Sequence, residues 1–303
     1  MFKDNFKINK TCPICKSKKI YDKDKIKSKH GEINLMFSLM FCKSCGHKFL
    51  SEFPLKNYLE KLHKDDSKFL FDHDSNEVTE KERFKKDGFK KVKTLSDHWI
   101  FKHIDINQVG EYFEIGPGLC ELYKTFYNKN WHCEGLDLQP FIIAPGIVNN
   151  LDDIKNESKD VAVALDVIEH TIDPLEFLKN INIKLKNGGK IFLSFPNADS
   201  FKSKVLNNKW DMVVPLAHLN FFSKKSIQIS LENNGFEIIF IKNYSMGNFK
   251  RFIRNLIKLP FKLFKDLICL NISLPLTRFK EVIITLFDII DGDQMMVVAR
   301  KIK

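Results

Sequence analysis

Short apolar runs alternate with amphipathic segments along the chain from about residue 101 to residue 245. The apolar runs have the length of buried strands, and the segments between them carry apolar residues at helical spacing. Regular alternation of strands and helices predicts an α/β fold with a parallel, doubly wound sheet. The predicted strands are residues 111–115, 131–136, 161–165, 190–195 and 236–242.

Residues with special backbone preferences mark the borders of the predicted helices. Asp173 is a suitable N-cap and Pro174 suits the first helical position, so a helix is expected to begin there. This helix is expected to reach about Lys186, because Asn187 and Gly188 follow it and favour a helix end. Two further helices are predicted after Gly118 and from Ser223 to Asn233, the second of them capped by Ser223 and ended by Gly235.

The segment after residue 245 contains an insertion and a last strand. Residues 294–300 are predicted as that strand, so residues 246–291 form the insertion. Within it, residues 248–265 carry six basic and no acidic side chains, with apolar residues on the opposite helical face. This pattern is typical of a helix that lies on an anionic membrane surface. A lid or a dimer helix with solvated lysines is the alternative.

Two Cys-x-x-Cys pairs dominate the first predicted module, residues 1–52. Each pair can present two thiolates to one metal ion, and the residues between the pairs suffice for a hairpin that brings them together. Four thiolates predict a closed, tetrahedral zinc site with a structural role. The predicted ligands are Cys12, Cys15, Cys42 and Cys45.

Three alternatives to this zinc site remain open. His47 lies just past the second pair and could replace Cys45 as a ligand. Four unpaired cysteines in a small core are another interpretation, and a redox pair is a third.

Residues 53–100, between this module and the alternating region, carry apolar residues at helical spacing and are predicted as a helical linker. It could cap the cleft of the following domain, or its aromatic residues could simply pack on that domain.

A glycine turn directly follows the predicted strand at residues 111–115. Gly116 and Gly118 lack the Cβ that would keep the backbone away from a ligand, and Glu114 lies two residues before the first of them. Asp137 follows about 20 residues later, at the end of the next predicted strand, where a carboxylate can bind both ribose hydroxyls of a nucleoside. Ligands bind at the carboxyl ends of the strands in such sheets, so these residues predict a nucleoside site.

The order of the motifs resembles the class I S-adenosylmethionine-dependent methyltransferases, in particular their small-molecule branch with a D-V-I-E-H…D-P signature. The resemblance covers residues 95–245 and implies a Rossmann-like methyltransferase sheet whose last strand, residues 294–300, pairs antiparallel with residues 236–242. It also implies S-adenosylmethionine as the methyl donor. The motifs are the glycine turn, residues 161–170 (VAVALDVIEH), Asp173-Pro174, residues 187–189 (NGG) and residues 191–197 (IFLSFPN).

The resemblance also implies roles for individual residues around the cofactor. The methionine end would be lined by Glu114, Gly116 and Gly118, the ribose held by Asp137, and the adenine flanked by Asn150 and Leu151. Asp166 would face the amino-acid portion of the cofactor or the acceptor pocket. The sequence departs from the family at Leu119-Cys120, where relatives often carry a third glycine. Cys120 is small enough to keep the turn.

Two histidines are candidates for removing a proton from the methyl acceptor, since histidine titrates near neutral pH. His218 lies in the loop after the strand at residues 190–195, which forms the acceptor side of the pocket in this family. His170 follows the strand at residues 161–165 and is expected either to act as a base or to pin its loop. Glu169 could orient either histidine.

Composition changes this interpretation little. The formal net charge is +11, but only five of the 49 basic residues are arginine, the residue that discriminates bases, so nucleic acid is not the expected partner. An odd number of cysteines, four of them in Cys-x-x-Cys pairs, suits a reducing compartment. No apolar stretch has the length of a membrane span and the N-terminus carries no apolar signal, so the expected location is the cytoplasm.

The combination of a cysteine module and a methyltransferase domain resembles two groups of enzymes. One group modifies sugars or other small precursors of bacterial surface polysaccharides and natural products. The other consists of ribosomal RNA guanine methyltransferases with an N-terminal zinc site. The D-V-I-E-H and H-L-N-F-F-S stretches favour the first group, with a sugar or sugar nucleotide as acceptor. A methyltransferase-fold scaffold without cofactor binding is a third hypothesis, which the intact glycine turn and Asp137 argue against.

Overall fold

A computed structural model describes residues 5–27, 35–55, 57–58, 88–138, 140, 142–245 and 291–303. Its strands, in chain order, are β1 (Phe6–Ile8), β2 (Ile20–Lys27), β3 (Met36–Cys42), β4 (Lys48–Leu50), β5 (Glu52–Pro54), β6 (Glu111–Ile115), β7 (His132–Leu136), β8 (Ile147–Val148), β9 (Lys159–Leu165), β10 (Leu185–Pro196), β11 (Asn220–Phe221), β12 (Phe236–Tyr244) and β13 (Gln294–Lys301). Its α-helices are α1 (Glu121–Asn128), α2 (Pro174–Lys184), α3 (Phe201–Leu206) and α4 (Lys224–Glu232).

Seven strands form the large sheet in the order β12-β13-β10-β9-β6-β7-β8. Pairing is parallel from β10 through β9, β6 and β7 to β8, whereas β13 runs antiparallel to both of its neighbours. The predicted doubly wound sheet with an antiparallel last strand is therefore confirmed. The sequence did not predict that β13 also pairs with β10, nor the short edge strand β8.

The two faces of the large sheet contact two separate apolar cores. Along β6, Tyr112 belongs to one core and Phe113 to the other. In β9, Ala162 and Val163 alternate in the same way, and both are fully buried. Successive side chains of a strand point to opposite faces, so a sheet covered on both faces reads as an unbroken apolar run. This explains why β9 stood out in the sequence.

Helix α2 begins where the sequence predicted and ends earlier. The Asp173 carboxylate accepts hydrogen bonds from the backbone N–H groups of Leu175 and Glu176 at 3.1 and 3.0 Å. The helix ends at Lys184 rather than near Lys186. The reason is that the Lys301 ammonium donates to the backbone carbonyls of Asn182 and Leu185 at 2.8 and 2.9 Å and so caps the helix end. The predicted stop residues, Asn187 and Gly188, instead form an irregular beginning of β10.

A smaller four-stranded sheet, in the order β11-β4-β3-β2, joins the cysteine-containing segment to the rest of the chain. Its edge strand β11 belongs to the loop after β10, and it pairs antiparallel with β4 so that Asn220 faces Phe49 and Phe221 faces Lys48. Phe49 and Phe221 are both fully buried in one continuous core. We call residues 5–55 the cysteine module. It is built into the loop that carries His218, which the sequence did not predict.

The predicted linker and insertion lie largely outside the described residues, which omit 56, 59–87 and 246–290. The described end of the linker forms two 3-10 turns, Phe89–Lys91 and Trp99–Lys102. The Lys124 ammonium donates to the backbone carbonyls of Phe89 and Lys90 at 2.7 and 2.9 Å. In a longer helix, these two carbonyls would instead accept backbone hydrogen bonds from later residues. Trp99 packs on Phe192 of the large sheet. Within the described ranges, no helix is both long and apolar enough to cross a bilayer.

Candidate active site

The glycine turn after β6 has the backbone conformation that its sequence requires. Gly116 has φ +63° and Gly118 has φ +51°, in the left-handed region that glycine adopts without strain. A Cβ on Gly118 would meet nothing within 4 Å, so the backbone there borders open space. A Cβ on Gly116 would lie 3.0 Å from Cγ2 of Val167. The turn therefore leaves room for a ligand and also touches the segment that leads to His170.

Cys120 occupies the position where a third glycine is common. It is buried and adopts a left-handed φ of 58° just before α1, and its backbone N–H donates to the carbonyl of Pro117 at 2.7 Å. Burial, followed by the nearby carboxylates of Glu114 and Asp137, raises the pKa of the Cys120 thiol to about 12. The replacement of glycine by Cys120 thus keeps the turn.

Glu114 is held in the interior at the end of β6. It is buried, and its carboxylate accepts a hydrogen bond from the Tyr112 hydroxyl at 2.7 Å. Burial raises the pKa of Glu114 to about 8, and the bond from Tyr112 opposes that rise. Tyr112 in turn stacks on Phe126 of α1. Sequence reasoning missed Tyr112, although residues two apart in a strand share a face and this spacing could have revealed it.

The next two strand ends carry the residues expected at the ribose and the adenine. Asp137 follows β7, where its backbone N–H donates to the carbonyl of Val148 at 3.0 Å and its side chain is half-buried. Asn150 is exposed and caps a 3-10 turn, since its side chain accepts from the backbone N–H of Asp152 at 3.1 Å. Leu151 begins that turn and is half-buried. All these residues lie at the carboxyl edge of the sheet.

Asp166 follows β9 at the same edge. Its φ is 53°, and its backbone N–H donates to the carbonyl of Ser194 at 2.9 Å. The Ser194 hydroxyl donates to Oδ1 of Asp166 at 3.1 Å, which fixes the carboxylate between β9 and β10. Sequence reasoning included Ser194 only within the motif at residues 191–197 and assigned it no role at the site.

The structure brings the three candidate catalytic residues into one cluster. One ligand atom from each of Glu169, His170 and His218 lies within 4.8 Å of the others. The two imidazole rings pack edge to face with centroids 4.7 Å apart, and Nε2 of His170 lies 4.0 Å from Oε1 of Glu169. The backbone N–H of Leu219 donates to the carbonyl of Glu169 at 2.9 Å, which ties the two loops together.

The environments of these three side chains differ. Glu169 is 1% exposed, and burial, followed by the charge of Asp166, raises its pKa well above the ordinary value of a carboxyl group. Both histidines are half-buried, and the Nδ1 atom of each contacts a backbone carbonyl. The two histidines are therefore oriented by the main chain, and the acidic residue Asp166 lies near Glu169, a setting that suits proton transfer or cation binding.

The four cysteines predicted as metal ligands also lie together. One sulfur from each residue is within 4.8 Å of the others, and Sγ–Sγ distances are 3.6 Å for Cys12–Cys45 and 3.5 Å for Cys15–Cys42. Zinc–sulfur bonds of about 2.3 Å place the corners of a tetrahedron about 3.8 Å apart, so the cluster fits such an ion. His47 is not part of it, because its Nε2 contacts Oδ1 of Asn220 at 3.2 Å and its ring packs on Phe222.

The structure thus has a glycine turn and two acids at the carboxyl edge of a doubly wound sheet with an antiparallel last strand, the arrangement that the resemblance to methyltransferases implies. In agreement, a family model described as "Methyltransferase domain" matches residues 82–240. The chain therefore belongs to this methyltransferase family, and it is an enzyme that depends on S-adenosylmethionine. None of the curated proteins is a match.

Solved methyltransferases resemble the fold at low sequence identity. A SAM-dependent methyltransferase from Archaeoglobus fulgidus has a TM-score of 0.47 at 14% identity, covering 75% of this chain and all of that one. A SAM-dependent methyltransferase from Mesorhizobium loti has a TM-score of 0.44 at 13% identity, covering 66% and 94%. Phosphoethanolamine N-methyltransferase 2 from Haemonchus contortus has a TM-score of 0.47 at 14% identity, covering 84% and 63%. The family assignment rests on the family model that matches residues 82–240, because structural similarity at TM-scores of 0.44–0.47 does not identify a family.

Proposed function

We propose that the enzyme transfers the methyl group of S-adenosylmethionine to a small-molecule acceptor, a sugar or sugar nucleotide of surface polysaccharide or natural-product synthesis. The observation that carries the proposal is the cluster of Glu169, His170 and His218 beside an open glycine turn. Val167, next to this cluster along the chain, approaches Gly116 closely. A donor on the turn and an acceptor on the histidines would therefore be neighbours, as methyl transfer requires.

The cofactor would be held by the residues at the carboxyl edge of the sheet. The open space at Gly118 is a cradle that a Cβ would fill. Asp137, which follows β7, would accept hydrogen bonds from the ribose hydroxyls. When bound, S-adenosylmethionine supplies an electrophilic methyl group on a sulfonium. The residues proposed to bind it are Glu114, Gly116, Gly118, Asp137, Asn150, Leu151 and Asp166.

The acceptor would lie against His218 and His170. A hydroxyl, an amine or a carbon acid must lose a proton to become a nucleophile, and a positioned imidazole contributes about 10²–10⁴-fold to such a step. His218 belongs to the loop that carries β11, and His170 to the turn after β9, so both would reach the acceptor from segments other than the glycine turn. Glu169 would orient the pair. The proton is thus removed at the acceptor, and the cofactor-binding residues do not take part in that step.

We also propose that Cys12, Cys15, Cys42 and Cys45 bind one structural zinc ion. Four thiolates leave no open coordination position, so the ion would stabilise the cysteine module without touching substrate. The module would then act on the reaction indirectly, through the edge strand β11 that it shares with the acceptor loop.

A direct test incubates the purified enzyme with radiolabelled S-adenosylmethionine and panels of sugar nucleotides, with ribosomal RNA in parallel. We expect label in a sugar nucleotide and none in RNA. Methylation of RNA, or tight RNA binding that falls steeply with salt as several phosphate contacts would make it, would favour a ribosomal RNA methyltransferase instead. Failure to bind S-adenosylmethionine in calorimetry would favour a scaffold that keeps only the fold.

A further inference from the structure

The cluster of Glu169, His170 and His218 has the composition of a metal site. Two imidazoles and one carboxylate, with further positions open to other ligands, form a donor set that binds divalent first-row metal ions. The three ligand atoms lie within 4.8 Å of one another. Two atoms that each lie about 2.1 Å from one ion are at most about 4.2 Å apart, so a contraction of about half an ångström would let all three reach the same ion.

The orientation of both histidines favours a metal ligand. Nδ1 of His170 lies 2.8 Å from the carbonyl oxygen of Ala217, and Nδ1 of His218 lies 2.6 Å from that of Met212. A carbonyl oxygen only accepts hydrogen bonds, so each Nδ1 carries a proton, and in the neutral ring Nε2 then carries the lone pair. Histidines that bind metals almost always donate their other N–H in this way, because the bond fixes the tautomer and the ring orientation.

The carboxylate of Glu169 supplies an independent indication. The residue is 1% exposed, and its Oε2 atom has no hydrogen-bond partner among the described residues. A buried carboxylate oxygen without a hydrogen-bond partner is costly, and buried carboxylates are normally paired or coordinate a metal. Asp166 adds negative charge close by, which raises the electrostatic attraction for a cation and raises the cost of leaving Glu169 ionised and alone.

A second cluster of similar composition is formed by Glu111, His132 and Glu134, and we do not propose a metal site there. The Lys159 ammonium contacts both of its carboxylates, at 3.0 Å for Glu111 and still closer for Glu134. His132 is exposed and already contacts Glu111 at 2.7 Å. A protein cation thus occupies the place of a metal there. This cluster supplies the matched control for the experiment.

We propose that Glu169, His170 and His218 bind one divalent cation that activates the methyl acceptor. The inference rests on the proposed methyl transfer, but the two histidines would then act as metal ligands and no longer as the bases that take the proton. A hydroxyl oxygen of the acceptor would complete the coordination, and the positive charge would lower the pKa of that hydroxyl. Its proton leaves to solvent water, an oxygen lone pair forms the bond to the methyl carbon, and the methyl–sulfur bond breaks with its electron pair remaining on sulfur.

Manganese is the probe for this site, because Mn²⁺ prefers nitrogen and oxygen donors and discriminates against the four thiolates of the cysteine module. Free Mn²⁺ is counted by its paramagnetic resonance signal as it is titrated into the full-length enzyme. We expect one Mn²⁺ per chain for the wild type. Glu169→Gln and His218→Ala should each bind it at least about tenfold more weakly. Removing a residue that only hydrogen-bonds to a metal ligand already costs about tenfold or more in affinity, so removing a ligand should cost at least as much. His132→Ala should bind it like the wild type.

The same samples are titrated with S-adenosylmethionine, so that the two proposals can fail separately. Normal cofactor binding without Mn²⁺ binding to the wild type would overturn the cation site and leave the methyltransferase proposal intact. Mn²⁺ binding that survives both Glu169→Gln and His218→Ala, or that is lost in His132→Ala, would also overturn it. Absent cofactor binding would reject the proposed function itself. Circular dichroism shows whether each variant is folded. If either Glu169→Gln or His218→Ala fails to fold, Mn²⁺ binding to the other variant tests the proposal.

Discussion

His47 and Asn220 form a hydrogen bond between the cysteine module and the acceptor loop, with the His47 Nε2 donating to Oδ1 of Asn220 at 3.2 Å. The other side of the Asn220 amide donates to the carbonyl of Thr171 at 2.7 Å. His47 lies two residues after Cys45, Asn220 lies two residues after His218, and Thr171 directly follows His170. One buried amide therefore links the proposed zinc ligands to both candidate catalytic loops.

This link gives a first prediction. Asn220→Ala removes both hydrogen bonds and leaves a buried donor on His47 and a half-buried acceptor on Thr171 without these partners, so the free energy of unfolding should fall by about 1–3 kcal/mol. Urea denaturation of wild type and variant measures the loss. Asn208→Ala is the matched control, since Asn208 makes a single bond from the module-facing α3 region to the carbonyl of Lys25 at 3.2 Å. An equal, small loss in both variants would show that the Asn220 bridge is energetically unimportant.

A second prediction concerns the zinc ion. Metal analysis should find one zinc per chain in the wild type and a large loss in Cys42→Ser, because a serine hydroxyl does not replace a thiolate in a closed tetrahedral site. Cys133→Ser removes a buried thiol that donates to the carbonyl of Trp131 and should keep full occupancy. Full zinc content in Cys42→Ser, or none in the wild type, would contradict the assignment.

The ribose contact can be tested at Asp137. Asp137→Ala should weaken S-adenosylmethionine binding by about 1–3 kcal/mol, the cost of leaving hydrogen-bonding partners unpaired. Isothermal calorimetry compares it with Asp152→Ala, which removes an exposed carboxylate from the adjacent turn at the same sheet edge. An unchanged dissociation constant for Asp137→Ala would mean that other groups hold the ribose.

The catalytic cluster gives the sharpest kinetic prediction. His218→Ala should lower turnover by about 10²–10⁴-fold while cofactor affinity stays nearly the same, since His218 would face the acceptor and not the cofactor. A shared cation predicts a loss of similar size in His170→Ala, whereas a base acting alone predicts a clearly smaller one. Turnover within about threefold of wild type in both variants would mean that the acceptor is already nucleophilic.

Glu114 gives a prediction about pH. Its folded-state pKa of about 8 lies above the ordinary value of 4.5, so the folded protein binds the proton more tightly than the unfolded chain. The contribution of this residue to stability is therefore full below pH 4.5 and is lost as pH rises through about 8. As pH rises from 4.5 to about 8, we expect the free energy of unfolding of the wild type to fall relative to that of Glu114→Gln, whose amide does not titrate. Urea denaturation at pH 5 and pH 8 measures it, and a pH-independent difference would reject the prediction.

Much of the fold could be predicted because it follows from local chemistry. Apolar runs marked the central strands, and Asp173-Pro174 marked the start of α2. The end of α2 could not be predicted in the same way, because it depends on Lys301, which is distant in the sequence. The pairing of β11 with β4 was missed for a similar reason, since a two-residue strand has no sequence pattern and exists only through its partner.

The candidate site shows the same division. Motifs identified the glycine turn and the acids at strand ends, and a small-molecule branch of the family implied the two histidines. No motif indicated that the Ser194 hydroxyl donates to Asp166. This contact joins the end of β9 to β10 and becomes visible only when the register of the sheet is known, whereas the bond from Tyr112 to Glu114 could have been inferred from their spacing within β6.

The position of β13 between β10 and β12 has a consequence for how the protein is made. On the ribosome, β12 emerges well before the strand that must separate it from β10, because more than fifty residues lie between Tyr244 and Lys301. At about 5–20 residues per second, the nascent sheet waits roughly 3–11 s with two unpaired strand edges. A chaperone that shields these two strand edges during that interval is therefore expected to raise the yield of folded enzyme.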